Sequence, residues 1–119
     1  IEVAQACDVL SKVQLGHLIE RLEQEQDWTR ILSLGEQQRL AFARLLLQKP
    51  RVAFLDEASA SMDEGLEFAM YQLLQSELPN TTIISVGHRS TLQQLHHHQL
   101  HILGDGHWQW LATENAVRH

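Results

Sequence analysis

An α/β fold built on a parallel βαβ core is predicted by three features of this 119-residue sequence. A continuous apolar run at Val52 to Leu55 is followed by a helix-periodic segment and then by a β-rich run at Thr82 to Val86. Strand, helix and strand within about 35 residues make a crossover unit whose strands are parallel. Helix-periodic stretches precede this unit, and a hairpin pattern follows it. The length suits one domain that buries roughly two-thirds of its unfolded surface and folds without staples.

The elements follow in order. Residues 1–30 place Val3, Cys7 and Leu10, then Leu15, Leu18, Ile19 and Leu22, at helical spacing with Glu and Gln between them, which predicts two short helices. Ser33 stands three residues before Glu36, a capping-box pattern, and Pro50 disfavours helix just before it, so a helix is expected from Ser33 to about Gln48. Val52 to Leu55 suits a strand buried on both faces of a parallel sheet. Ser61 and Glu64 repeat the capping-box spacing ahead of a stripe of Leu66, Ala69, Met70, Leu73 and Leu74, and Leu78-Pro79-Asn80 ends that helix. A third such pattern at Ser90 and Gln93 opens a short helix that fades into His96, His97 and His98. "QLHILGDGHWQWL" alternates around Gly104-Asp105-Gly106 and reads as a β-hairpin, with Trp108 and Trp110 on one face, where core packing is expected ahead of the alternative of a docking patch.

Fifteen acidic side chains against nine basic ones give a net charge of -6, which argues against broad binding of nucleic acid. The single cysteine, Cys7, has no partner for an internal disulfide and no basic neighbours to activate it, so a small core residue in a reducing compartment is expected. No apolar run approaches the ~18 residues of a membrane span, and a soluble piece is expected. Ile1 opens directly on an apolar-periodic segment, from which a fragment of a longer protein is expected.

Open parallel sheets bind ligands beyond the carboxyl ends of their strands. Asp56 and Glu57 end the first strand and Gly87-His88 the second, so two carboxylates and an imidazole converge there if the strands are neighbours. In phosphoryl transfer Asp56 can hold Mg²⁺, Glu57 can polarise a water, and His88 can donate to a terminal phosphate. A helix start at Ser33 and Gly35 offers unpaired N–H groups to a phosphate. On spacing alone the carboxylates and His88 equally suit a solvated turn and a satisfied loop histidine, and a capping box with no ligand is the commoner fate of a start such as Ser33 to Glu36.

The order and separation of four segments go further, because together they resemble the second half of an ABC-transporter nucleotide-binding domain, a P-loop NTPase fold. "LSLGEQQRLAFAR" is similar to the signature motif and its helix, and "RVAFLDE" to Walker B with the catalytic glutamate. "SASMDE" is similar to the D-loop and "SVGHR" to the switch-histidine loop. The resemblance implies that residues 1–48 are part of the helical subdomain and residues 49–119 the last part of the catalytic core. It implies that Ser33, Gly35 and Glu36 form a turn against the terminal phosphate of ATP held by an opposing subunit. Asp56 would support Mg²⁺, Glu57 would act as general base, Asp63 would couple the two sites, and His88 would sense the phosphate. The implied partners are a second nucleotide-binding domain and the transmembrane domain of the parent chain, at the cytoplasmic face of a bacterial inner membrane. The segments look most like bacterial relatives of the peroxisomal fatty-acyl and vitamin half-transporters.

Leu34 and Glu36 depart from the common "LSGGQ". The phosphate contact is then expected to rest on Ser33 and Gly35. No GxxxxGK[ST] occurs, so the loop that cradles ATP phosphates is missing from the chain and its ATPase activity in isolation is expected to be absent. Two other readings compete. An ABC ATPase of chromosome maintenance or DNA repair shares the signature, but residues 1–30 lack the sustained heptads of a coiled coil. A metal module on His96, His97, His98 and His101 is limited because adjacent histidines in a strand point to opposite faces. The resemblance to the ABC-transporter domain further implies that Trp28, just ahead of the signature segment, faces the membrane domain.

Overall fold

A computed structural model describes residues 2–21 and 31–113; the readings placed on Leu22 and Trp28 lie outside the described residues. The chain forms two compact units that divide between Val86 and Gly87. The first contains α1 (Val3–Lys12), a 3₁₀ turn (Gly16–Arg21), α2 (Leu34–Gln48), β1 (Val52–Asp56), α3 (Glu64–Glu77) and β2 (Thr82–Val86). The second contains α4 (Ser90–Gln94), β3 (His98–Gly104) and β4 (His107–Ala112). The mixed α/β architecture is the one the sequence predicts.

In the first unit β1 and β2 pair in parallel, in register from Val52 opposite Thr82 to Asp56 opposite Val86. Phe42, Ala43 and Leu46 of α2, Met70, Tyr71 and Leu74 of α3, and Ala53 and Leu55 of β1 are all buried. Phe42 meets the Tyr71 ring edge-on at 5.7 Å, a favoured aromatic geometry. The Tyr71 hydroxyl lies 2.9 Å from Ser85 Oγ on β2, so its polar end is satisfied where its ring is buried. That burial raises the Tyr71 pKa above the ordinary tyrosine value. Lys12 Nζ reaches Glu77 Oε1 at 2.9 Å and ties the end of α1 to the end of α3.

Helix α2 ends as its sequence dictates, before Pro50, with Lys49 in the left-handed region at φ 48°. Its N–H donates to Leu45 O at 2.9 Å and closes the last turn. A non-glycine residue there carries steric cost from its Cβ. Lys49→Gly is therefore expected to raise stability by about 0.5–1 kcal/mol, read as a shift of the denaturant midpoint at constant slope.

Several expectations need correction. Strand β1 is not buried on both faces: Ala53 and Leu55 point into the core, while Val52 and Phe54 are exposed, Phe54 at 76 %. On β2, Ile84 and Val86 are exposed as well, because α2 and α3 supply apolar cover only for the other side. Val3 is exposed and Cys7 only half-buried, so the buried residues of α1 are Val9 and Leu10. The α3 cap is Asp63 and not Ser61; its Oδ1 accepts Leu66 N–H at 2.7 Å. Helix α4 has Arg89 and not Ser90 at its cap, with no side-chain cap bond. The α3 stripe also includes Tyr71 and Glu67, which pattern reading omitted; Glu67 is fully buried and accepts a hydrogen bond from Ser59 Oγ.

The second unit contains the predicted hairpin. Asp105 and Gly106 have φ of 51° and 78°, the paired positive values of a two-residue turn whose twist matches the strands. Leu100 pairs with Trp110 and Ile102 with Trp108. All four are exposed, Trp108 at 65 %, so the expected core packing of the tryptophans is not found among the described residues. His98 stacks on Trp110 with ring centroids 5.0 Å apart.

Candidate functional site

The start of α2 is built by its own side chains. Ser33 Oγ accepts the Glu36 N–H at 3.1 Å, and Glu36 Oε1 accepts the Ser33 N–H at 3.0 Å, completing the predicted capping box. The Ser33 O–H remains as a donor, since the hydroxyl oxygen is used only as acceptor in that pair. The N–H groups of Leu34 and Gly35 fall in the first turn, where a helix offers them no internal acceptor. A Cβ added at Gly35 would meet Ser61 O at 3.9 Å, an ordinary contact, so the glycine leaves an open approach without being sterically compelled. Leu34 points outward at 68 % exposure.

Glu36 has a second partner that sequence reading missed. His17 Nε2, on the 3₁₀ turn, lies 2.7 Å from Glu36 Oε2. The Ser33 backbone bond, and then His17, hold the Glu36 carboxyl below the usual carboxylate range. An ionised carboxylate only accepts, so the shared proton sits on His17 Nε2.

The two carboxylates of the Asp56-Glu57 pair meet different surroundings. Asp56 ends the ladder opposite Val86 and is exposed. Glu57 leaves the ladder: its N–H donates to Val86 O at 2.8 Å, and its φ of 52° turns the chain away. A half-buried glutamate in the left-handed region is a strained placement of the sort found at working sites.

Gln38, one turn into α2, fixes both neighbouring segments. Its Nε2 donates to Glu57 O at 3.4 Å, and its Oε1 accepts Ser61 N–H at 3.0 Å. One amide thus joins the α2 start, the end of β1 and the loop ahead of α3. The signal in the sequence was a glutamine one helical turn beyond the cap, which only the fold distinguishes from its neighbour Gln37. Asp63 caps α3 at the far end of that same loop.

His88 lies in the second unit, exposed, two residues beyond Val86 in the chain. The carboxylates and the α2 start belong to the first. His96 Nδ1 lies 2.6 Å from Leu92 O, and His98 is stacked on Trp110. Among the described residues no group of three or more His, Cys, Asp or Glu side chains is arranged to hold a metal, so the histidine-cluster reading gains no support. Asp56, exposed at the end of β1, is an oxygen donor of the kind a hard divalent cation takes when phosphate oxygens complete its shell, so this residue fits Mg²⁺ bound with nucleotide.

The family model described as ABC transporter matches residues 2–60, which hold the α2 start and the carboxylate pair. An uncharacterized ABC transporter ATP-binding protein of Haemophilus influenzae is 75 % identical over 93 % of the chain. The chain belongs to the ABC transporter ATP-binding family. Among further members, ABC transporter D family member 2, chloroplastic, of Arabidopsis thaliana is 50 % identical over 78 % of the chain. ATP-binding cassette sub-family D member 3 of Homo sapiens is 37 % identical over 92 %. The chain spans 19 %, 13 % and 17 % of the lengths of these three ABC proteins. No helix among the described residues is long and apolar enough to cross a membrane.

Proposed function

We propose that the chain is the later half of an ATP-hydrolysing domain within a longer ABC half-transporter, coupling hydrolysis at a head-to-tail dimer interface to transport. Residues 1–48 are its share of the helical subdomain and residues 49–119 its share of the catalytic core. The observation that carries this reading is the Gln38 amide, which binds the signature turn, the Glu57 backbone and the Ser61 loop into one constellation. A capping box serving only its own helix has no need of such a link.

Mg²⁺ bound with ATP supplies charge neutralisation at the phosphates. Asp56 would hold it, directly or through water. Glu57 accepts the proton of the attacking water on its carboxylate. The Ser33 O–H and the N–H groups of Leu34 and Gly35 donate to the terminal phosphate of ATP bound on the opposing subunit, at the positive end of a helix. Glu36 keeps that turn in shape. Asp63 couples the two sites across the interface, and His88 donates to the same phosphate. The partners are a second nucleotide-binding domain and the transmembrane domain of the parent polypeptide, with this segment at the cytoplasmic face. A net charge of -6 gives no general attraction for nucleic acid.

The test compares the full-length transporter with the 119-residue piece. The transporter is expected to hydrolyse Mg-ATP, and calorimetry on the piece is expected to show no binding, because the phosphate-cradling loop lies elsewhere. Full-length protein that neither binds nor hydrolyses ATP would sink the reading.

A further inference from the structure

We propose that His17 is a positioning residue for the signature serine: its Nε2–H holds one oxygen of Glu36 while the other oxygen holds the Ser33 backbone. The inference rests on the reading that Ser33 donates to phosphate.

The geometry assigns each atom a task. Glu36 uses Oε1 on the Ser33 N–H at 3.0 Å and Oε2 on His17 at 2.7 Å, so both ends of its planar carboxylate are engaged. With two anchors the carboxylate cannot turn about its last torsion, a broad and soft one when free. Ser33, gripped through its N–H and through its Oγ, then holds its hydroxyl oxygen in one place. Removing His17 frees Oε2. The carboxylate then rotates, the Ser33 N–H bond weakens, and a negative charge is released one turn from where a phosphate must dock. A glutamine at position 36 brings no such charge. Glutamate makes the tether necessary, which accounts for a histidine on a 3₁₀ turn reaching a helix that begins many residues later.

Stability is a poor explanation of this pair. The His17 side chain is 57 % exposed, and exposed ion pairs contribute little to folding. A positioning role instead affects the turnover step, where a slight misplacement of a donor is costly.

The experiment measures Mg-ATP kcat, KM and melting temperature on the full-length transporter carrying His17→Ala, His17→Gln or Ser33→Ala. His17→Ala is expected to lower kcat about three- to tenfold, the loss expected for one weakened hydrogen bond in the transition state. Its KM is expected to stay within about twofold, because the nucleotide is held mainly by the opposing subunit. Its melting temperature is expected to stay unchanged. His17→Gln, whose amide N–H replaces Nε2–H, is expected to restore most of kcat. If Ser33→Ala loses turnover while His17→Ala keeps it, the positioning role alone is overturned. Equal losses in both His17 variants, with a lowered melting temperature, also overturn it by showing a structural role. If Ser33→Ala keeps full turnover, the reading of the α2 start fails and the inference with it.

Discussion

Glu57→Gln in the full-length transporter is expected to lower ATP turnover by about 10²–10⁴-fold, the contribution of a positioned general base, while Mg-ATP binding persists. The structure makes this substitution a clean probe. The loop holding Glu57 is anchored through its main chain, by the N–H to Val86 and by the carbonyl to Gln38, and not through the carboxylate alone. Glutamine keeps the side-chain length and both main-chain anchors and replaces the proton-accepting carboxylate with a neutral amide. Single-turnover hydrolysis beside equilibrium nucleotide binding separates the two effects. Turnover near the parent's rate in the Gln variant would remove Glu57 from the mechanism and leave Asp56 as the carboxylate to examine.

Phe42→Ala is expected to cost about 3–5 kcal/mol of stability, by transfer loss plus the cavity left behind. Phe42 is fully buried and packs edge-on against Tyr71, so its removal takes a buried aromatic contact away from the α2–α3 packing. The effect reaches the site because α2 carries both Ser33 and Gln38. Phe42→Leu is expected to cost less than half as much, since it leaves a smaller cavity. Denaturant unfolding of the two variants checks the order; equal midpoints would mean that the core repacks around the gap.

Much of the fold was legible because local rules and tertiary packing agree. Ser33, Glu36 and Pro50 set the ends of α2, and Gly104 to Gly106 set the hairpin turn, through bonds within a few residues. Reading failed where the outcome depends on what lies opposite. Val52 and Phe54 carry the apolar signature of a doubly covered strand, but helices cover only one side of this sheet among the described residues. Trp108 and Trp110 failed likewise. At the cap of α3 the spacing pointed to Ser61, but Asp63 caps the helix and the serine's N–H is taken by Gln38 from another element. The candidate site was legible as a set of motifs. Its internal wiring was not, because the Gln38 and His17 bonds span 19 to 23 positions and leave no periodic trace.

The left-handed backbone at Glu57 has a consequence for how this segment can change over generations. Lys49 and Glu57 share the same unfavourable conformation, with φ of 48° and 52°. At both positions glycine or asparagine relieves the backbone. For position 49 nothing opposes that drift. For position 57 the same relief discards the proposed base, so durability and catalysis select opposite residues. A directed-evolution campaign scored only on heat resistance would steadily remove the proposed base at this one position while leaving the fold around it intact.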